Sequence, residues 1–186
     1  MKQLILVLLG SFIGIGSACK KEDATTKPAD PRAAARPATL PPRAEPAKPA
    51  FLAVPKLGVQ IEVPADAKVN DGAGDSVMIM SDSQPDCVVM LSKVNPDIAD
   101  KFEKVVAEIK NAKMGHGPLK AMTKEENQPN GNWKIEWTST SDITKKDLFG
   151  VQHRVVLAGT LYDCARKTNT AAGQACVARA CSSLKK

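Results

Sequence analysis

The sequence predicts an α+β domain over residues 51–186, an antiparallel sheet of about six strands with two helices. Three observations carry that reading. Period-two alternation of apolar and polar residues recurs in several short stretches, the signature of half-buried strands. An apolar stripe at helical spacing runs from Ile98 to Ile109, and a second lies close to the C-terminus. The resulting order is three strands, a helix, three strands and a helix.

Leu57, Val59, Ile61 and Val63 alternate with Gly58, Gln60 and Glu62, and Pro64 ends this first strand. Residues 70–75, Asn-Asp-Gly-Ala-Gly-Asp, form a turn cluster, and Val77, Met78, Ile79 and Met80 make the second strand. After a turn over 81–86, residues 87–91 (Cys-Val-Val-Met-Leu) make a third strand, apolar on both faces and therefore expected at the centre of the sheet. Asn95 stands where a helix N-cap belongs, Pro96 suits the first helical position, and Asp97 puts negative charge in the first turn. Ile98, Phe102, Val105, Val106 and Ile109 then share one helical face, with Lys101, Glu103, Lys104, Glu108 and Lys110 turned to water.

Residues 114–118 close the helix as a Gly-rich loop containing His116. Ala121 to Gln128 is a weaker strand, residues 129–132 (Pro-Asn-Gly-Asn) turn it back, and Trp133, Ile135 and Trp137 alternate with Lys134, Glu136 and Thr138. A polar loop follows. Leu148 to Asp163 reads as one long strand, bent or bulged at Gly150 or Gly159. The last helix, about Ala171 to Leu184, collects Val177, Ala180, Cys181 and Leu184 on one side.

Upstream of this domain the composition changes twice. Lys2 precedes an apolar run from Leu4 to Gly16, shorter than the ~20 residues of a membrane-spanning helix and followed by small residues, so residues 1–18 read as a cleaved export signal. Residues 20–50 hold seven prolines, no glycine, no aromatic residue and Leu40 as the one large apolar side chain. Such a stretch buries no core; it reads as a disordered, extended Pro/Ala-rich tether.

Residues 16–19 are Gly-Ser-Ala-Cys. Ser17, Ala18 and Cys19 resemble the lipobox of bacterial lipoproteins, with Gly16 where a branched aliphatic residue is usual. The resemblance implies cleavage before Cys19, acylation of its thiol and anchoring in a lipid bilayer, and Lys20 at the next position favours the outer membrane. Several acyl chains, each gaining ~0.8 kcal/mol per buried methylene, give stable attachment.

Five cysteines in an exported chain point to disulfides, and setting Cys19 aside leaves an even four: Cys87, Cys164, Cys176 and Cys181. Cys176 and Cys181 stand five residues apart, ~140° around a helix, so each needs a partner elsewhere. Cys164 is expected to bridge to the last helix, at Cys176 or Cys181. Cys181 is favoured because it shares the buried stripe, which leaves Cys87 and Cys176 as a second pair.

The whole chain carries a formal charge of +6, yet residues 51–186 hold 18 basic and 16 acidic side chains. A domain so nearly neutral is no electrostatic trap for nucleic acid. The two histidines, His116 and His153, stand at no metal-ligand spacing with Cys, Asp or Glu, and no cofactor fingerprint is present. No nucleophile elbow or phosphate loop occurs. An acidic neighbour, as in Asp86-Cys87 and Asp163-Cys164, raises a thiol pKa and argues against a reactive cysteine. Candidate contact residues are therefore the loop His116 and the pair Trp133 and Trp137, which form either an exposed ligand platform or part of the core.

A strand pair at the start, an amphipathic helix, a Trp-containing hairpin, a long strand and a C-terminal helix closing on Ser182-Ser183-Leu184 resemble, over residues 51–186, the PsbP-type α/β/α sandwich of small bacterial lipoproteins. The resemblance rests on element order and transfers no site residue. It implies a binding or assembly factor for an envelope protein or complex rather than a catalyst. The rival classes are a periplasmic enzyme with an unrecognised site and a thiol oxidoreductase.

Overall fold

A computed structural model of the chain describes residues 48–112 and 117–186. The expected signal, Cys19, most of the expected tether and His116 lie outside the described residues. Eleven elements follow one another: β1 (Pro49–Val54), β2 (Val59–Pro64), β3 (Lys68–Asp71), β4 (Ser76–Met80), β5 (Val89–Val94), α1 (Phe102–Lys110), β6 (Leu119–Asn127), β7 (Trp133–Thr140), β8 (Asp147–Leu157), β9 (Thr160–Thr168) and α2 (Ala171–Ser182). The domain is α+β, with a seven-stranded antiparallel sheet in the order β3-β4-β5-β9-β8-β7-β6 and a separate β1-β2 hairpin. Among the described residues no helix is long and apolar enough to cross a membrane.

Nine strands replace the six expected, for three local reasons. Pro49–Val54 pairs with Val59–Pro64 and buries Val54, so strand structure extends into the span assigned to the tether. Lys68–Asp71 pairs with β4 although half of it reads as turn. The stretch 148–163 is not one bent strand: Ala158 and Gly159, with φ of 48° and 77°, form a two-residue reversal closed by the Leu157–Thr160 pair. Both loop residues need positive φ, and Ala-Gly meets that need with less sequence warning than Asn-Gly.

The first helix also differs. Asn95 Oδ1 accepts a hydrogen bond from the Asp97 amide at 3.0 Å, which makes a single turn, and Ile98 is 80% exposed. The carbonyl of Asp100, which a longer helix would offer to Lys104, is held by Arg154 Nη1 instead. Lys101 is thus the extended N-cap residue and the helix starts at Phe102.

One face of the large sheet is covered by α2 and the β1-β2 hairpin. Val54, Ile61, Val77, Ile79, Leu91, Val151, Tyr162, Val177 and Ala180 form a continuous core there. The C-terminus is sewn to β2, where Gln60 and Lys185 exchange backbone hydrogen bonds at 2.8 and 3.0 Å. Across this layer Cys164 is bridged to Cys181, and Cys87 to Cys176, with Cα separations of 5.5 and 5.6 Å.

The other face carries α1, but over one half only. Val105, Val106 and Ile109 pack on Trp133, Ile135 and Trp137 of β7, with Leu119 and Met122 of β6 beside them. Residues paired across an antiparallel sheet project to the same side, so the register names what lies beyond α1's reach. One row runs Met78, Met90, Ala165, Gln152, Ile135; its neighbours run Ser76, Ser92, Asp163, Arg154, Trp133 and Lys167, Gly150, Trp137.

A candidate binding groove

The half of that face that no described element covers is a groove of about 560 Å³, lined by Met90, Ser92, Trp137, Gln152, Asp163, Ala165, Arg166 and Lys167 among others. Its floor is supplied by β5, β9 and β8. At Met90, Ser92, Asp163, Ala165 and Gln152 the floor is paired with a strand on both sides, whereas Arg166 and Lys167 of β9 are paired with β8 alone. Met90 is 44% exposed there, and Met80, on the same face of β4, 38%. The doubly apolar character of residues 87–91 therefore has two causes: Leu91 and Val89 belong to the core, whereas Met90 is surface. β5 is third in the sheet and β9 occupies the centre.

Electrostatics divides the groove unevenly. Asp163 receives Arg154 Nε on Oδ1 at 2.7 Å and Nη2 on Oδ2 at 2.8 Å, a fork-to-fork pair that spends its negative charge internally. Arg154 in turn lies 4.9 Å from the Trp133 ring centroid, and Phe102 meets the same ring edge-on at 6.2 Å. Arg166 and Lys167 are the cationic residues that line the groove. Burial pushes the Lys167 ammonium pKa below its ordinary value. Arg166 Nη1 sits 3.6 Å from Met90 Sδ, a weak acceptor.

Trp133 and Trp137 do not form an exposed platform. They are 3% and 2% exposed because α1 needs large apolar partners on β7, and the edge of Trp137 alone borders the groove. Gly150, read as a bend, is the cross-strand partner of Trp137; a Cβ on it would clash with the Cε2, Cζ2 and Cδ2 atoms of the indole ring. His153 is fully buried opposite Cys164, its Nε2 3.3 Å from Glu136 Oε1. That contact holds the Glu136 carboxyl below the ordinary carboxylate range. Nδ1 of His153 has no hydrogen-bond partner among the described residues.

Cys87, Cys164, Cys176 and Cys181 are not among the residues lining the groove. Cys164 and Cys181 are wholly buried, and Cys87–Cys176 lines a second cleft of about 430 Å³ with Asp82, Asp86 and Thr170. Among the described residues no three His, Cys, Asp or Glu side chains gather as a metal site. Sequence reasoning singled out none of Met90, Ala165, Arg166 or Lys167. The available signal was the Met-Ile-Met run at 78–80 with Met90: apolar side chains on a strand's second face, with too little helix in the chain to cover it.

No family model matches the chain, and neither does any curated protein. Thirteen chains of known structure match it. One is a crystal structure of a protein of unknown function from Pseudomonas aeruginosa, 14% identical over 66% of this chain and 84% of that one, with a TM-score of 0.32, too distant to bear on fold or role.

Proposed function

We propose that this chain is a lipid-anchored protein of the cell envelope, acylated at Cys19 and held at the outer membrane, whose domain is a non-catalytic binding or assembly module for an envelope partner. The observation that carries the reading is the groove: among the described residues, half of one sheet face is left apolar and uncovered, at Met90, Ala165 and the edge of Trp137. Helices on opposite faces of an antiparallel sheet support a PsbP-type sandwich, whose members act mostly by binding. The two disulfides suit an oxidising compartment outside the cytoplasm. The lipobox-like residues 16–19 supply the anchor.

Photo-crosslinking in intact cells tests it. A crosslinking residue in place of Met90 should trap a specific envelope partner, and one in place of Ile98, more exposed but outside the groove, should not. Equal trapping from both positions, or none from Met90, would refute the groove as the contact site.

A further inference from the structure

We infer that the Cys87–Cys176 bridge is a redox-responsive clasp, opened by a dithiol that enters through the second cleft, while Cys164–Cys181 stays closed. This goes beyond the binding role proposed for the groove and does not depend on it. The two bridges differ first in access. Cys164 and Cys181 are both 0% exposed inside the core, whereas Cys87 and Cys176 are 3% and 6% exposed and line a cleft of about 430 Å³ with Asp82, Asp86, Thr170 and Gly173. Access decides how fast a thiolate reaches a disulfide, so one bond is open to exchange in the folded chain and the other waits for the core to open.

The bridges also fasten different halves of α2. The C-terminal half is held by Cys181 and by the Gln60–Lys185 pairing to β2. The N-terminal half is held by Cys176, by Asp86 Oδ2, which accepts from Thr170 Oγ1 at 2.9 Å, and by Gln174, whose Nε2 donates to the carbonyls of Trp137 and Gly150 at 3.1 and 3.0 Å. Opening the clasp is a two-electron reduction. One thiolate of the dithiol bonds to the Cys87 sulfur, the S–S bond breaks, and Cys176 leaves with the electron pair and takes the proton of the dithiol's second thiol. That second thiolate then displaces the Cys87 sulfur, which takes up the proton that the first thiol gave to solvent. The dithiol ends as a cyclic disulfide and the protein as two thiols. Asp86 beside Cys87 disfavours a negative sulfur there, which makes Cys176 the leaving group and leaves Cys87 a poor attacker, so the pair receives exchange rather than driving it. Freed of its covalent tie, the start of α2 opens locally, and the Gln174 grip behind Trp137 and Gly150 loosens with it.

The test treats the oxidised full chain, without denaturant, with a stoichiometric amount of dithiothreitol, then alkylates it and maps the peptides over time. Cys87 and Cys176 should be alkylated at least about tenfold faster than Cys164 and Cys181. In the singly reduced chain, amide hydrogen exchange should rise across residues 170–176 and hold over 178–184, and the near-ultraviolet tryptophan signal should shift. Cys87→Ser combined with Cys176→Ser should show the same exchange pattern and no further response to the same treatment. Equal alkylation rates for the two pairs, or faster alkylation of Cys164 and Cys181, would overturn the inference. So would a singly reduced chain with an unmoved tryptophan signal, or with exchange unchanged across 170–176 or raised throughout the domain. The alkylation and exchange measurements use the native chain, so a double variant that fails to fold leaves the test intact. None of these readouts involves a partner at the groove, and the binding role stands or falls separately.

Discussion

Arg154 and Asp163 are direct cross-strand partners on β8 and β9, joined through both ends of the guanidinium fork at 2.7 and 2.8 Å. Arg154 is 6% exposed, and the same side chain covers Trp133 and holds the carbonyl of Asp100. One residue thus joins two strands of the sheet to the approach of α1, and through Asp163 it removes the negative charge from the groove.

Truncating it strands a half-buried carboxylate. Arg154→Ala should cost about 1–3 kcal/mol in urea unfolding, because Asp163 and the Asp100 carbonyl lose their partner together. The double substitution Arg154→Met, Asp163→Leu should recover much of that loss, since the apolar pair needs no compensation. A double variant as unstable as Arg154→Ala would show that the Asp100 contact dominates.

Gly150→Ala should destabilise by about 1–3 kcal/mol, the usual cost of overpacking, because the new methyl group must displace the Trp137 ring. The near-ultraviolet circular dichroism should change with it. An unaltered tryptophan spectrum with unchanged stability would mean that the ring is not seated on Gly150.

The hairpin sets where the chain can be shortened. A chain beginning at Lys48 keeps β1 and should melt within a few degrees of the longer form. A chain beginning at Lys56 loses Leu52 and the fully buried Val54 and should melt well below it, as about 2 kcal/mol or more of apolar burial disappears. Equal melting temperatures would show that β1 contributes nothing to the core.

Each bridge should contribute according to the loop it closes. Cys164–Cys181 spans 17 residues and Cys87–Cys176 spans 89, which corresponds to about 3 and about 4.5 kcal/mol in the chain-entropy account. Paired Cys→Ala substitutions measure both. Non-reducing peptide maps should join Cys164 to Cys181 and Cys87 to Cys176; a Cys87–Cys164 peptide would contradict the fold.

Acid should loosen the turn after β4 before it reaches the core. The Asp66 carboxylate accepts the Ser83 amide at 2.7 Å and the Ser81 hydroxyl at 2.8 Å, which lowers its pKa from 3.8 to about 2. A carboxyl depressed in the folded state stabilises fully above its ordinary pKa and loses that contribution as the pH falls towards the depressed one. The melting-temperature difference between the native chain and Asp66→Asn should therefore be constant above pH 5 and shrink between pH 4 and about 2. Glu136 titrates in the same sense, and His153→Leu should raise its midpoint in carboxyl NMR, since the His153 contact is the chief cause of its depression. No movement of that midpoint would remove the buried pair from the account.

Local patterning decided the elements whose neighbours agree with it. Trp133, Ile135 and Trp137 declare β7 through a strict period of two, and Val177, Ala180, Cys181 and Leu184 declare the buried side of α2, because each stripe meets one continuous apolar surface. The α+β class and the presence of disulfides were legible for the same reason. Elsewhere distant contacts won: Arg154 holds the Asp100 carbonyl and shortens α1, pairing with β2 turns Pro49–Val54 into a strand, and the Ala158–Gly159 reversal folds one apparent strand into two. The groove could not be read from spacing at all. Met90, Gln152 and Ala165 become neighbours only when β9 inserts between β5 and β8, and among the described residues their face stays open because α1, nine residues long, packs on β6 and β7. A strand's sequence reports that both its faces are apolar; whether the second is covered depends on the length and placement of a helix elsewhere in the chain, and that is a property of the packed structure.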